Sequence, residues 1–467
     1  MIRRILLSFA LLSSALVLLA SCAQPMVDRA PQVPTLSTDL GDAATHVATD
    51  ARGNAYVLGY RNRPDSLYPE TPRTSQLYLS RFAKAGELMW LTDLNQREST
   101  ATESTSETYG VEVTETGIYA LTLQDSDADA GQGPVYLHKL TPEGALLWTR
   151  PILEAGAGHE VDIITFQKAP TGQLYVSWVD SWNDGQKAYL GSLDAGGTLR
   201  WSVVLRSEEY GQGVTDVSAL QQSTGEVRGI FKVAPSADGV YVTNTAQVRK
   251  YSAEGNLTWS KALAFEEYTH ISADLAVNGN YIYLVRNLTL KQDVFSYNSE
   301  IKRFSTDGDE LWTRTVVAPE VASTATAYSS ETFGVSAGGK LYLLVASAQD
   351  SEGYSSGGRL NEQFLLQFSP DGQRSQRARL SREETILDMA LVKLENPEHA
   401  HVTPSPKFLD YFYAVGRGGL EFDCHNEFEE GDGAGCKDTD AFVRLYAGPD
   451  SDASTADIAL RPQWVRE

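Results

Sequence analysis

The sequence predicts an all-β protein: a seven-bladed β-propeller of four-stranded antiparallel blades, preceded by a lipoprotein signal peptide and a short tether. Three observations carry this expectation. A glycine–tryptophan phrase recurs along the chain, a turn–tyrosine phrase precedes each copy, and the segments between them alternate with the period of strands.

The first phrase reads LTPEGALLWTR from Leu140 to Arg150. Gly86, Gly144, Gly197, Gly255 and Gly308 are each followed, four residues on, by Trp90, Trp148, Trp201, Trp259 and Trp312. Four residues before each glycine stands Phe82, Leu140, Leu193, Tyr251 or Phe304. A sixth copy keeps Leu365, Phe368 and Gly372 but has Gln376 in the tryptophan place. A seventh, worn copy has Phe442 and Leu445, with Trp464 expected in its outer strand. The second phrase places Tyr56, Tyr119, Tyr175, Tyr241, Tyr283, Tyr342 and Tyr413 behind short turns, which gives seven consecutive units.

Each unit offers four strands. Strand A is of the VEVTE type, B carries the tyrosine, C precedes the glycine and D carries the tryptophan. One such sheet cannot bury both faces, so the units stack in a ring. The repeated Trp and Tyr rings are expected to dock blade against blade, each burying roughly 150–250 Å², while glycine permits the tight C–D turn.

YLSRFAKAGELMW, LHKLTPEGALLW and IKRFSTDGDELW, paired with GNAYVLGY, resemble the bacterial seven-bladed propeller repeat and the tryptophan-docking motif of PQQ-type propellers. The resemblance covers residues 43–467 and implies the fold; such repeats host many roles. One is that of the propeller lipoprotein of the outer-membrane protein assembly machinery, which uses PQQ-type blades without cofactor. Another is that of quinoprotein dehydrogenases, which need an Arg or Lys clamp and a calcium carboxylate on the axis. Propeller hydrolases and lyases are a third.

Residues 1–21 read as a signal peptide: Arg3 and Arg4, then an apolar run closed by Leu19-Ala20-Ser21. With Cys22 this resembles a lipobox, implying fatty acylation (palmitate class) of that cysteine and anchorage in the membrane. Ala23, where an aspartate favours inner-membrane retention, implies the outer membrane by the same resemblance. Residues 22–42 form the lipidated cysteine and a Pro- and Thr-rich tether. The expected address is therefore the bacterial cell envelope, lipid-anchored, facing the periplasm or the surface.

The chain carries 61 acidic and 39 basic residues, and loss of Arg3 and Arg4 with the signal moves the net charge from −22 to −24. That argues against nucleic acid, whose phosphates need basic neutralisation. Cys424 and Cys436 are expected to form a disulfide outside the cytoplasm, the other use being a metal site with His425.

The A–B and C–D turns are short throughout, whereas the B–C and D–A connections are long. One face is thus plain and the other elaborated, as on scaffolds that carry binding loops. The long loops are acidic and aromatic: Asp125, Asp127 and Asp129; Trp178, Trp182 and Asp184; Glu427, Glu429, Glu430, Asp432, Asp438 and Asp440. DSDADAG is similar to a calcium loop, but Gly131 falls at position 7 and Tyr136 at position 12, which excludes an EF-hand. Beyond a loose Ca²⁺ site there, no metal or cofactor is assigned.

No catalytic residue emerges either. GVSAG (Gly334 to Gly338) matches the nucleophile-elbow string but falls at an A–B turn rather than between strand and helix. His46, His138, His159, His270, His399, His401 and His425 are scattered. The expected function is a non-enzymatic binding or scaffold lipoprotein that meets an envelope protein or other ligand through its loop face.

Overall fold

A computed structural model describes residues 43–63, 74–94, 106–124, 133–154, 159–182, 185–205, 232–244, 247–263, 268–290, 293–316, 327–348, 362–380, 384–395, 408–418, 440–447, 458–459 and 462–466. Cys22, the tether, Cys424 and Cys436, the acidic loops and most long connections lie outside the described residues. Among the described residues no helix is long and apolar enough to cross a membrane.

The described strands form antiparallel sheets, each built from consecutive segments of the chain in the order A–B–C–D. The A strands are Ala43–Thr49, Ser106–Thr114, His159–Lys168, Lys232–Ser236, Tyr268–Asn278, Ala327–Val335 and Glu384–Glu395. Each packs beside the A strand of the next sheet, and the last packs beside the first, so the ring closes around an axis lined by A strands. The molecule is an all-β propeller of four-stranded antiparallel blades.

Two departures from the sequence expectation stand out. Six sheets have four strands, but the sixth in chain order gains a fifth, Ile458–Ala459, paired in parallel with Ala378 and Arg379. This extra strand covers the outer edge of the blade that lacks the docking tryptophan, where Gln376 lies opposite Gln367. The long B–C connection expected at residues 285–300 is instead mostly strand: Tyr281–Leu290 pairs with Asp293–Ser305.

Most described turns of the plain face repeat one form, while three A–B turns (Thr114–Gly117, Ser236–Gly239 and Asn278–Tyr281) are tighter two-residue hairpins. In the C–D turn of blade 2, Gly144 N–H donates to the Thr141 carbonyl and Thr141 N–H to the Ala145 carbonyl, with Gly144 at φ +89°. This is a type I turn closed by a left-handed residue, the three-residue hairpin that demands glycine. The GVSAG string lies in such a turn: strand A ends at Val335, Ser336–Gly339 turns, and strand B starts at Leu341. Strand follows strand, so no nucleophile elbow forms.

Across each sheet the pairing lines up one row of side chains. In blade 1 it runs Ala48, Tyr56, Arg81, Trp90; in blade 2, Glu112, Tyr119, Lys139, Trp148. These rows meet the next blade. Trp90 Nε1 donates to the Pro142 carbonyl, Trp201 Nε1 to Ala253, Trp259 Nε1 to Thr306 and Trp312 Nε1 to Pro370, at 2.8–3.1 Å. Tyr119 Oη donates to Ala195, Tyr241 Oη to Thr306 and Tyr283 Oη to Gly339. The basic residue between them completes the clamp: Arg81 Nη1 donates to Pro142 and its guanidinium lies over the Tyr56 ring. The docking tyrosines are almost entirely buried. Trp464 lies in the outer strand of the last blade, opposite Leu445.

Candidate binding site at the ring axis

Strand A is the inner edge of its blade, so one row of its N–H and C=O groups has no partner within the sheet. Buried backbone groups must be satisfied, and here neighbouring blades supply the partners. Asp388 Oδ2 accepts from Val47 N at 3.0 Å, joining the last blade to the first. His46 Nε2 meets the Thr108 carbonyl at 3.0 Å; a carbonyl only accepts, so Nε2 carries the proton. Lys168 Nζ donates to the Val113 carbonyl, and Asn278 Nδ2 to the Ser336 carbonyl.

Register shows which of these groups share a level. In every blade one A-strand residue lies opposite the position two after the docking tyrosine. These residues are His46, Gly110, Thr165, Lys232, Asp274, Thr332 and Asp388. In five blades a β-bulge immediately precedes this level, at Thr45, Tyr109, Ile164, Glu331 and Leu387. Bulges re-aim side chains and cluster beside functional sites. Glu112, one rung towards the plain face, stands where blade 2 has only Gly110 at the ring level.

The axis is therefore an acid–base ring. His46, Glu112, Lys232, Asp274 and Asp388 are surrounded by blades, yet each keeps part of its surface open to solvent. Enclosure pushes His46 down to about 4; its bond to Thr108 opposes this, and the charge of Lys232 adds to it. Enclosure pushes Asp388 up to about 7 against the Val47 and Met389 N–H groups and Lys232, with Asp274 adding to the rise. Glu112 also rises to about 7 by enclosure, opposed by Lys168. Asp274 is raised for the same reason, opposed by Lys232. Lys232 thus acts on groups of three other blades. Its ammonium makes no hydrogen bond or ion pair among the described residues, and Thr165 Oγ1, on the adjacent blade and 7% exposed, has no partner.

These shifts work in opposite directions on stability. The folded carboxyls hold protons that the unfolded chain releases near pH 4, so their contribution is present at low pH and lost as pH rises through about 7. The histidine has the reverse sign: the unfolded chain binds its proton near pH 6.5, so stability falls between about 6.5 and 4. By NMR, the His46 ring protons should titrate with a midpoint near 4. A midpoint at the ordinary value would mean that the axis is bathed in bulk water.

Sequence reasoning singled out His46 only as one of several scattered histidines. His138 is a core residue, held between Thr122 Oγ1 and Thr149 Oγ1 at 2.9 Å each. Trp178 is buried and stacks on Tyr189 at 5.0 Å between ring centroids, so it belongs to the core rather than to a loop. Among the described residues no three His, Cys, Asp or Glu side chains are grouped to hold a metal ion. The signal that would have found the ring is a charge inside a short strand packed on both faces: Glu112 in VEV, Asp274 in ADLAV, Asp388 in LDMALV.

No protein-family model matches the chain, and no curated protein matches it. Among solved structures it is similar to the polysaccharide lyase Uly1, at 10% identity over 91% of this chain and 94% of that one, with a TM-score of 0.47. It is also similar to a protein of unknown function from Bacteroides caccae, at 14% identity over 65% and 89% of the two chains and a TM-score of 0.33. A third is the endo-arabinase from Bacteroides thetaiotaomicron VPI-5482, at 10% identity over 68% and 93% and a TM-score of 0.31. Every identity is under 25% and every TM-score under 0.5, so these likenesses carry no argument about what this chain does.

Proposed function

We propose that the protein is a seven-bladed, non-enzymatic binding propeller of the bacterial cell envelope, lipid-anchored through Cys22 in the outer membrane. Its ligand enters from the long-loop face and is held at the axis. The observation that carries this reading is the convergence of His46, Lys232, Asp274 and Asp388 at one level of the axial wall, with a bulge immediately before His46 and before Asp388. Structural stitching alone would account for Asp388 and His46, but not for the Thr165 hydroxyl, which has no partner, or for the Lys232 ammonium, which makes no bond among the described residues.

The test is a melting-temperature screen of the purified protein against saccharides, carboxylates, amines and inorganic phosphate. One class should stabilise, by about 2.7 kcal/mol at a hundredfold excess over Kd. Lys232→Met should roughly halve that response, as a tenfold weaker Kd requires. A flat screen, or a variant that responds like the parent, removes this reading.

One observation favours an enzyme as the second reading. Asp388 and Glu112 hold protons near neutrality within the field of a lysine, which suits a general acid and base. Recovery of the stabilising compound in altered form, with the alteration lost in Asp388→Asn, would decide for it.

A further inference from the structure

The chemistry of the ring narrows the ligand, and this step rests on the axial site argued above. Lys232 stands at the same level as two carboxyl groups, Asp274 and Asp388, and acts electrostatically on both. An anion entering this ring would face the two carboxyls, and a cation would face the ammonium. An apolar ligand would strip water from all of them without return. A hydroxyl group avoids all three penalties, since it donates to a carboxylate and accepts from an ammonium at once. Two hydroxyls on adjacent carbons can do this side by side. Thr165 Oγ1 adds a buried hydroxyl without a partner at the same level, and neutral His46 leaves Nδ1 as an acceptor because Nε2 is committed to Thr108.

We infer that the axial ring recognises a neutral polyhydroxylated compound, such as a sugar residue, through paired hydrogen bonds from Lys232 and to Asp274 and Asp388. Sites built to bond hydroxyls discriminate strongly against analogues that lack them, and millimolar affinity suffices for a single residue of such a ligand.

The experiment compares skeletons that differ only in charge. Glucose, galactose and mannose are titrated by calorimetry and by saturation-transfer NMR, each beside its uronate and its 2-amino counterpart. The expected result is that at least one neutral sugar binds about tenfold more tightly than both of its charged counterparts. Thr165→Val removes a hydroxyl that bonds to nothing, so folding should be unaffected while affinity for that sugar falls about fivefold. Lys232→Met should cost about tenfold, and Lys232→Arg should restore part of it. Tighter binding of the uronate or the amino sugar would overturn the neutral class while leaving the axial site standing. So would binding of phosphate alone. Binding by no class would remove the site itself, and unchanged affinity in Thr165→Val would overturn the inference even where a sugar binds.

Discussion

Replacing Gly144 by alanine should destabilise the ring by about 2–4 kcal/mol, measured by denaturant unfolding. Two effects add. Gly144 sits at φ +89°, a backbone conformation that L-residues adopt at a cost of about 1–3 kcal/mol. A Cβ there would also lie 2.5–2.9 Å from three atoms of the Trp90 indole, which approaches from the preceding blade. The molecule supplies its own control. Gly172 has nearly the same φ, +85°, but a Cβ there would meet nothing within 4 Å. Gly172→Ala should therefore show the backbone cost alone, about 1 kcal/mol. In a Trp90→Ala background Gly144→Ala should fall to that same lower cost, giving a coupling of about 1–2 kcal/mol. Equal costs at Gly144 in both backgrounds would show that the indole is not seated on the glycine.

Tyr413→Ala should cost about 3–5 kcal/mol, as for other fully buried aromatic residues, and Tyr413→Phe about 1–3 kcal/mol. Tyr413 is fully buried, and its hydroxyl donates to the Gly53 carbonyl at 2.6 Å across 360 residues of sequence. That bond ties the last blade to the first. The same seam holds Val47 N to Asp388 and Thr49 Oγ1 to the Leu391 carbonyl. The first and last sheets share no strand with each other, so side chains hold the closure. Hydrogen exchange should therefore accelerate in Ala43–Thr49 in both variants before it does so elsewhere. Tyr56→Phe serves as comparison: that hydroxyl bonds to Asp50 within its own blade, so the seam should stay protected. Uniform acceleration around the ring would show that closure does not depend on Tyr413.

Much of this architecture is legible in the residues because glycine, tyrosine and tryptophan each have a local reason to stand where they do. The spacing from Gly144 to Trp148 announces a hairpin, and the turn geometry follows. The glycine has a second reason that spacing alone does not reveal. Trp90 lies against Gly144 and Trp148 against Gly197, so each phrase is the socket for the phrase before it. Arg81, Lys139, Lys250 and Arg303 stand one residue before the apolar anchor, and their place over the tyrosine rings appears only in three dimensions. The axial ring was the least legible part. Its members lie far apart in the chain, the nearest pair being Lys232 and Asp274, and differ in type from blade to blade, and only sheet pairing brings them to one level. The fifth strand on the sixth blade carries no local signal, because two residues, Ile458 and Ala459, form no pattern.

The unpaired inner edge of strand A has one more consequence. His46 and Asp388 each belong to one blade by covalent attachment and to a neighbour by hydrogen bonding, so neither is private to its own repeat. A change at either that retunes what the centre recognises also loosens a joint between two neighbours. Divergence of specificity in such a molecule should proceed in matched pairs of substitutions on adjacent repeats, with the outer clamps supplying the reserve of stability that tolerates the first of each pair.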